Sequence, residues 1–421
     1  MAQHPFLKSI QPVNLLSFGP DTPEIELRPL NILIGPNGSG KSNLIEVLGL
    51  LSKLPDKDPW SNVIQTGGAA EWAWKGTRQD TSTRSPSITL VCGVRESGLA
   101  SLYGTGGESR FVYYSISLTS GQGGFFVDSE RFVKFEKGED PTLANPEAFV
   151  RDSDNGARNV RGSLLHTRIN SKTPLPDFPV SRSALSMTRS EPYFAFNHTG
   201  MRELSDGLEQ FAFYRDWTFG RTSPTRQVQP VGLDSYRLAS DAINLAQVLK
   251  AMRDRGDSAI FDRLLKLLKD FYEPVKDVDT ELVGTHLRIM LKEEGLNSRT
   301  PAERLSDGTL RWLMLLIILL DPTPPPMICL EEPELGLHPD AIHTLADLLV
   351  EASTRTQLVV TTHSDTLLDA FTETPEVVCV CEKVDGATVI QRLEKEKLKS
   401  WLEKYSLGHL WMSGEIGGNR W

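Results

Sequence analysis

"GPNGSGKSN", Gly35 to Asn43, decides the reading of this 421-residue chain. It fits G-x-x-x-x-G-K-[ST], in which glycines let successive backbone N–H groups converge on an anion. The lysine of that pattern, Lys41, reaches terminal phosphates, and the hydroxyl, Ser42, completes a Mg²⁺ shell. The flanks give the pattern its meaning, because a glycine-rich stretch alone is only a turn. "LNILI" (Leu30–Ile34) precedes it as an apolar strand, and "SNLIEVLGLL" (Ser42–Leu51) follows with apolar residues at helical spacing. Strand, loop and helix in that order predict a phosphate-binding P-loop.

The composition bounds the rest. Hydrophobic residues make up 39% of the chain, ample for a sizeable core, and the length suggests roughly two to three domains. The longest apolar run, "WLMLLIILL" (Trp312–Leu320), is half of what a membrane helix needs, and it ends at Asp321 and a proline cluster. The amino terminus lacks a charged-then-apolar signal arrangement, so a soluble, cytoplasmic protein without membrane contact is expected. Cys92, Cys329, Cys379 and Cys381 have no metal-type pair spacing, and the last three lie in strand-like apolar runs where cysteine acts as a small hydrophobe. A net charge of −10 argues against a surface that binds nucleic acid throughout.

Along the chain, "ITLVCGV", "RFVYYSISL" and "GGFFVDSERFVKFE" read as strands of an antiparallel β lobe that completes a first domain, 1–136. Its aromatics Phe111, Tyr113, Phe125 and Phe132 read as core rather than base-stacking platforms. From about Glu139 to Arg189 the pattern decays into Pro, Ser, Asn, Asp and Arg, with seven basic residues against three acidic ones from Arg151 onward. This gives a partly irregular insertion, 137–235, either solvated or a local nucleic-acid or partner surface. The third part, 236–421, opens with two amphipathic helices, "SDAINLAQVLKAM" capped by Ser240 or Asp241 and "DSAIFDRLLKLLKDFY". It then alternates: helix from Gly308, strand "MICLE", helix from Pro339, strand "QLVVTT", helix after Ser364, strand "VVCVCEK". Alternation of this kind predicts an α/β fold, a mainly parallel sheet with flanking helices.

Chemistry concentrates at the ends of those strands. "MICLEE" closes an apolar strand with Glu331 and Glu332, where one acid can hold Mg²⁺ and the next can orient and deprotonate the attacking water. We assign Glu331 to the metal and Glu332 to the water. His363 follows the next strand at the sheet's carboxyl edge, the side where doubly wound folds bind ligands, which suits a γ-phosphate contact. "LSDGT" places Ser306 and Gly308 at the start of a long apolar helix, an arrangement that serves equally as an N-cap or as an anion site.

Together, "GPNGSGKS", "LSDGT", "MICLEE", "PELGLHPD" and "TTHS" resemble the Walker A, signature, Walker B, D-loop and H-loop of ABC-type ATPases. "PLNILIGPNGSGKSNLIEVL", "LSDGTLRWLMLL" and "VVTTHSDTLL" resemble in particular the stand-alone AAA-family ATPases related to RecF, SMC and OLD proteins. The resemblance covers roughly the first 50 and last 190 residues, including "YSLGHLWMSGEIGGNRW", whose Trp411 and Trp421 read as anchors. It implies a P-loop NTPase fold of ABC type using ATP and Mg²⁺. Asn37, Gly38, Ser39, Gly40, Lys41, Ser42 and Asn43 would then surround the phosphates, and Ser306 and Gly308 would contact the γ-phosphate of an opposite subunit. Glu332 and His363 would serve hydrolysis beside Lys41, and Gln65 is the nearest candidate for a Q-loop metal contact. Two departures stand out: Glu331 occupies a position where many relatives have Asp, and His338 one where transporter D-loops have Asp.

The resemblance further implies a homodimer or higher oligomer closed by sandwiched ATP. Its expected role is a sensor or regulator in DNA repair or antiphage defence, responding to DNA or a phage component and controlling a separate effector protein, a nuclease or toxin. The alternatives are a self-contained OLD-like nuclease, for which only 58 residues follow His363, and a transporter ATPase subunit.

Overall fold

The computed structural model describes residues 6–76, 85–93, 110–120, 124–136, 147–152, 159–166, 171–179, 181–188, 199–215, 217–255 and 258–417. The chain divides into two compact bodies. The first comprises Gln3–Phe211, Glu376–Leu393 and Gly414–Trp421, and the second Ala212–Pro375 and Glu394–Ser413.

In the first body, β1 (Leu7–Val13), β2 (Ile25–Glu26) and β3 (Leu30–Ile34) lead to α1 (Lys41–Lys53), α2 (Ser61–Gln65) and α3 (Ala69–Trp72). Then come β4 (Ser87–Gly93), β5 (Arg110–Ser120), β6 (Phe125–Glu136), β7 (Glu147–Asp152), β8 (Asn159–His166), β9 (Ser171–Pro179) and α4 (Thr199–Glu209). An eight-stranded sheet runs β2-β1-β4-β5-β6-β7-β8-β9, antiparallel at every pairing. β4 alternates half-buried and buried residues, as a strand with one covered face must. Phe111, Phe125 and Phe132 are buried and Tyr113 half-buried, matching their reading as core. A carboxylate shares that core: Glu130 accepts from the Tyr114 hydroxyl (2.7 Å), the Ser183 hydroxyl (2.6 Å) and the Ala184 N–H (2.9 Å), which offsets its desolvation.

The stretch read as irregular corrects the sequence analysis, since β7, β8 and β9 lie within it and extend the sheet. β9 is the terminal strand and carries Pro174, Pro176 and Pro179. Proline removes a ladder donor and is tolerated at a sheet edge, so a composition that looks unstructured is compatible with an edge strand. Of the seven basic residues counted there, only Arg182 falls where side chains are described.

The second body holds β10 (Ala212–Tyr214), β11 (Gln229–Pro230), α5 (Leu245–Asp254), α6 (Ser258–Phe271), β12 (Val275–Val283), β13 (His286–Glu293) and β14 (Thr300–Pro301). These are followed by α7 (Asp307–Leu319), β15 (Met327–Glu331), α8 (Pro339–Ala352), β16 (Gln357–Thr361) and α9 (Asp365–Asp369). β10, β15 and β16 pair in parallel, with Cys329 opposite Phe213 on one side and Val359 on the other. β16 is buried at all five positions and β15 at four of five, the continuous apolar run of a strand covered on both faces. The chain then returns to the first body for β17 (Val378–Val384) and β18 (Ala387–Arg392). β17 runs parallel to β3 and antiparallel to β18. It ends in the second body with α10 (Lys395–Leu402) and α11 (Leu407–Met412), where Trp411 is buried. Trp421 lies outside the described residues.

α5 starts at Leu245, not at Ser240. Asp241 instead accepts from the Ile243 N–H (3.1 Å), Ala242 is left-handed (φ 57°), and Asn244 bonds Ala239, Asp234 and Arg237 backbone groups. Short polar side chains here satisfy the backbone in a turn, an alternative that competes with helix. Among the described residues no helix is long and apolar enough to cross a membrane.

Candidate functional site

The P-loop lies in the first body between β3 and α1. Gly35, Gly38 and Gly40 have φ of 148°, 76° and 103°, a region that side chains with a Cβ resist. Two of the three are also fixed by contact. A Cβ on Gly35 would stand 2.2 Å from the Cys381 carbonyl oxygen of β17, and one on Gly40 would stand 2.1 Å from the Thr388 hydroxyl of β18. Thr388 forms the floor of the loop, donating to the Ser39 carbonyl (2.8 Å) and sharing a hydrogen bond with the Ser17 hydroxyl (2.7 Å).

Gly40 caps α1 without a side chain to accept from the helix's first N–H groups, so that end presents backbone donors and the positive pole of the dipole. The Lys41 ammonium folds over the loop, donating to the carbonyls of Gly35 (2.7 Å) and Pro36 (3.2 Å), and the Ser39 hydroxyl oxygen is buried without a hydrogen-bond partner. This donor cradle fits a polyphosphate. Asn37 and Ser42 are exposed and Asn43 half-buried at its rim. Beside it, Leu16, Ser17, Asn43, Trp74, Lys75 and Asp385 help to line a cavity of 490 Å³.

The second body gathers the acids and the histidine. Glu331 ends β15, half-buried, and Glu332 follows with φ 43°, a left-handed conformation unusual for glutamate. The Glu332 N–H is held by the Thr361 carbonyl (3.0 Å), and its carbonyl accepts from Leu335 N–H (3.1 Å). The resulting turn aims the Glu332 carboxylate at His363, Oε1 to Nε2 3.7 Å, with both side chains reachable from solvent. Adjacent parallel strands therefore bring the predicted water-activating acid and phosphate-sensing histidine together.

Glu334, which the sequence analysis left without a role, accepts from the Thr362 hydroxyl (2.5 Å) and the His363 N–H (3.3 Å). Desolvation, with Glu332 adding to it, pushes its pKa above the ordinary carboxylate range despite those bonds. His338 caps α8, its ring accepting from Asp340 N–H (3.4 Å).

The signature segment belongs to the same body. Ser306 caps α7 by accepting from the Thr309 N–H (3.0 Å), yet Ser306 and Asp307 remain exposed. A Cβ on Gly308 would approach the Gly336 carbonyl to 2.9 Å, so only glycine lets this turn rest on the D-loop of its own chain. Arg226, 8% exposed, braces the approach to the motif. It donates to the carbonyls of Ala302 (3.3 Å), Glu303 (3.3 Å) and Leu305 (2.5 Å) and pairs with Asp307, whose carboxyl this bond holds below its ordinary pKa. The sequence offered no sign of Arg226, 81 residues from its partner.

Gln65 is exposed at the carboxyl end of α2, and no contact brings it to the loop among the described residues. Among those residues no three acidic, cysteine or histidine side chains cluster as a metal site.

A P-loop on a strand-to-helix turn, a signature helix, a double-acid strand and a histidine strand define a P-loop ATPase of ABC type. The fold agrees with solved SMC heads. One, bound to the C-terminal winged-helix domain of ScpA, has a TM-score of 0.55 at 15% identity, covering 94% of this chain and 100% of that one. Another, from Pyrococcus furiosus, with an extended coiled coil and the C-terminal domain of ScpA, has a TM-score of 0.49 at 15% identity, covering 95% and 99%. A family described as "AAA domain, putative AbiEii toxin, Type IV TA system" matches residues 30–369, and the chain belongs to it. No curated protein matches the chain.

Proposed function

We propose that this protein binds ATP with Mg²⁺ and hydrolyses it within a homodimer whose two nucleotides are sandwiched between chains. The observation that carries the reading is the Glu332–His363 pair at the ends of two parallel strands, in a chain that also carries the P-loop cradle. On this reading Lys41 and the N–H groups from Asn37 to Ser42 hold the phosphates, Glu332 orients and deprotonates the attacking water, and His363 contacts the γ-phosphate. Ser42 and Glu331 supply hard oxygen ligands of the type Mg²⁺ takes, and the ion, when bound, withdraws charge from the phosphate oxygens. The exposed Ser306 and the half-buried Gly308 are offered to the nucleotide of the opposite subunit.

Differential affinity for open and closed pairs then makes ATP the latch of a clamp. The clamp's role is that of a sensor in defence or repair, triggered by DNA or a phage component and acting on a separate effector chain, a nuclease or toxin. The family's description as a putative toxin of a type IV TA system supports a cognate partner, as does an SMC head solved with a partner protein.

Glu332→Gln should trap an ATP-bound dimer, read as a doubled mass in light scattering with ATP. A variant that stays at the wild-type mass overturns the composite site. Copurification with the trapped form should bring down the effector or trigger, and recovery of the protein alone overturns the regulatory reading.

A further inference from the structure

α7 is apolar around its whole circumference, and every residue from Thr309 to Leu319 is buried. One of them is charged. Arg311 is 7% exposed, its guanidinium lies over the rings of Phe219 (4.6 Å) and Trp217 (5.4 Å), and its Nε has no hydrogen-bond partner. Burial depresses its pKa, while Glu334 and Glu332 act on it through space in the opposite direction. A buried guanidinium with an unpaired nitrogen opposes folding, and an apolar side chain of similar volume would suit this helix better for stability alone.

Its donors go to one place. The Arg311 guanidinium donates to the carbonyl of Glu332 (3.1 Å) and to that of Leu335 (2.5 Å), the two ends of the left-handed turn that aims the Glu332 carboxylate. A second contact runs beside it, where Gly308 packs on the Gly336 carbonyl. On the far side of the turn, Glu334 takes the Thr362 hydroxyl and the His363 N–H. A continuous line therefore joins the exposed Ser306 cap to Glu332 and on to His363, entirely within one body.

We propose that Arg311 is a positioning residue that ties the signature helix to the turn bearing Glu332, so that engagement of Ser306 by one nucleotide sets the water-activating acid for the other. This rests on the composite-site reading above. In that arrangement a chain's signature segment meets the nucleotide held by its partner, whereas its Glu332 serves the nucleotide on its own P-loop. A single side chain spanning the two is placed to make the two hydrolytic events cooperative.

The test uses the full-length protein with Arg311→Met, which keeps the apolar packing and removes the donors, and Arg311→Lys, which keeps one. Hydrogen exchange without nucleotide should show the peptide over residues 331–337 exchanging about 10-fold faster in Arg311→Met, with β16 and α8 unchanged. In steady state, kcat should fall about 100-fold while KM for ATP stays within about 3-fold, cooperativity in ATP should vanish, and Arg311→Lys should recover part of kcat. ATP-induced dimerisation should survive in the Glu332→Gln background. Unchanged exchange over 331–337 overturns the positioning role whatever the activity. A fall in kcat matched by lost ATP affinity and a lowered melting temperature reduces Arg311 to a packing residue. A wild-type protein that neither hydrolyses ATP nor dimerises with it defeats the composite-site reading instead, a result the exchange measurement does not share.

Discussion

The loop Gly35–Gly40 in the first body and the turn Glu332–Leu337 in the second solve the same problem by opposite means. Each reverses the chain sharply after a strand through left-handed backbone. The P-loop does it with glycines at every left-handed position, locked from outside by the Cys381 carbonyl and the Thr388 hydroxyl. The turn opens with a glutamate at φ 43° and keeps glycine only for its later left-handed position, Gly336 at φ 75°; the glutamate is held by hydrogen bonds from Leu335 and Arg311 to its carbonyl and from its own N–H to Thr361. Glycine makes a fixed cradle without conformational penalty. A strained glutamate keeps a side chain where chemistry needs one, with strain that neighbouring contacts must offset.

The comparison is broken most severely at Gly35. Gly35→Ala sets a methyl 2.2 Å from a backbone carbonyl that cannot swing away, at a φ that opposes it. We expect a loss of about 3 kcal/mol in chemical denaturation and the disappearance of nucleotide binding. A variant that binds a fluorescent ATP analogue with wild-type affinity would show that β3 and β17 can separate freely.

Next in size is Arg226. Arg226→Met removes the donor from three backbone carbonyls and the partner from Asp307. Partly buried acceptors left unsatisfied cost about 2 kcal/mol in total, visible as a lower urea midpoint. An unaltered midpoint would mean water replaces the guanidinium at no expense.

Why the two sites differ in legibility follows from the same contrast. Left-handed backbone met by glycine leaves its trace in the sequence, and GPNGSGKS could be read as a loop, with its lysine and hydroxyl assigned, from spacing alone. The Ser306 cap and the acid-tipped strand Met327–Glu331 were equally visible, because caps and apolar runs are local. Left-handed backbone held by distant hydrogen bonds leaves no such trace. Nothing around Glu332 announces φ 43°, and Thr388 lies 349 residues from the Ser39 carbonyl it holds. Arg311 went unread, although a lone charge inside "LRWLMLLIILL" must find partners; the sequence does not say which. The strand β9 was missed because proline at a sheet edge and proline in a connection look alike in one dimension, and β7 and β8 because their apolar residues are few and interrupted by Arg, Gly and Ser.

Glu332→Gly sharpens the contrast by giving the turn the P-loop's solution. Removing the Cβ relieves about 1 kcal/mol of left-handed strain, of which glycine's larger unfolded-state entropy cancels roughly half. A net gain of about 0.5 kcal/mol in urea unfolding should accompany a fall in ATP turnover of about 100-fold or more. A variant that is markedly less stable than wild type would mean that Glu332's side-chain contacts outweigh its backbone strain.

The smallest expected effect is on Glu334, and it carries a sign. Desolvation raises this carboxyl's pKa in the folded protein above its unfolded value, so the native state binds the proton more tightly. The contribution to stability is complete below the unfolded carboxylate range, near about pH 4, and is lost as pH rises through the raised folded value. Glu334→Gln keeps an acceptor for Thr362 and His363 and removes the charge. Its stability relative to wild type should therefore grow from pH 4 toward neutrality, measured as the difference in urea midpoints across that range. A difference that is flat with pH would place the Glu334 proton outside the balance and leave the turn held by Arg311 and Thr361 alone.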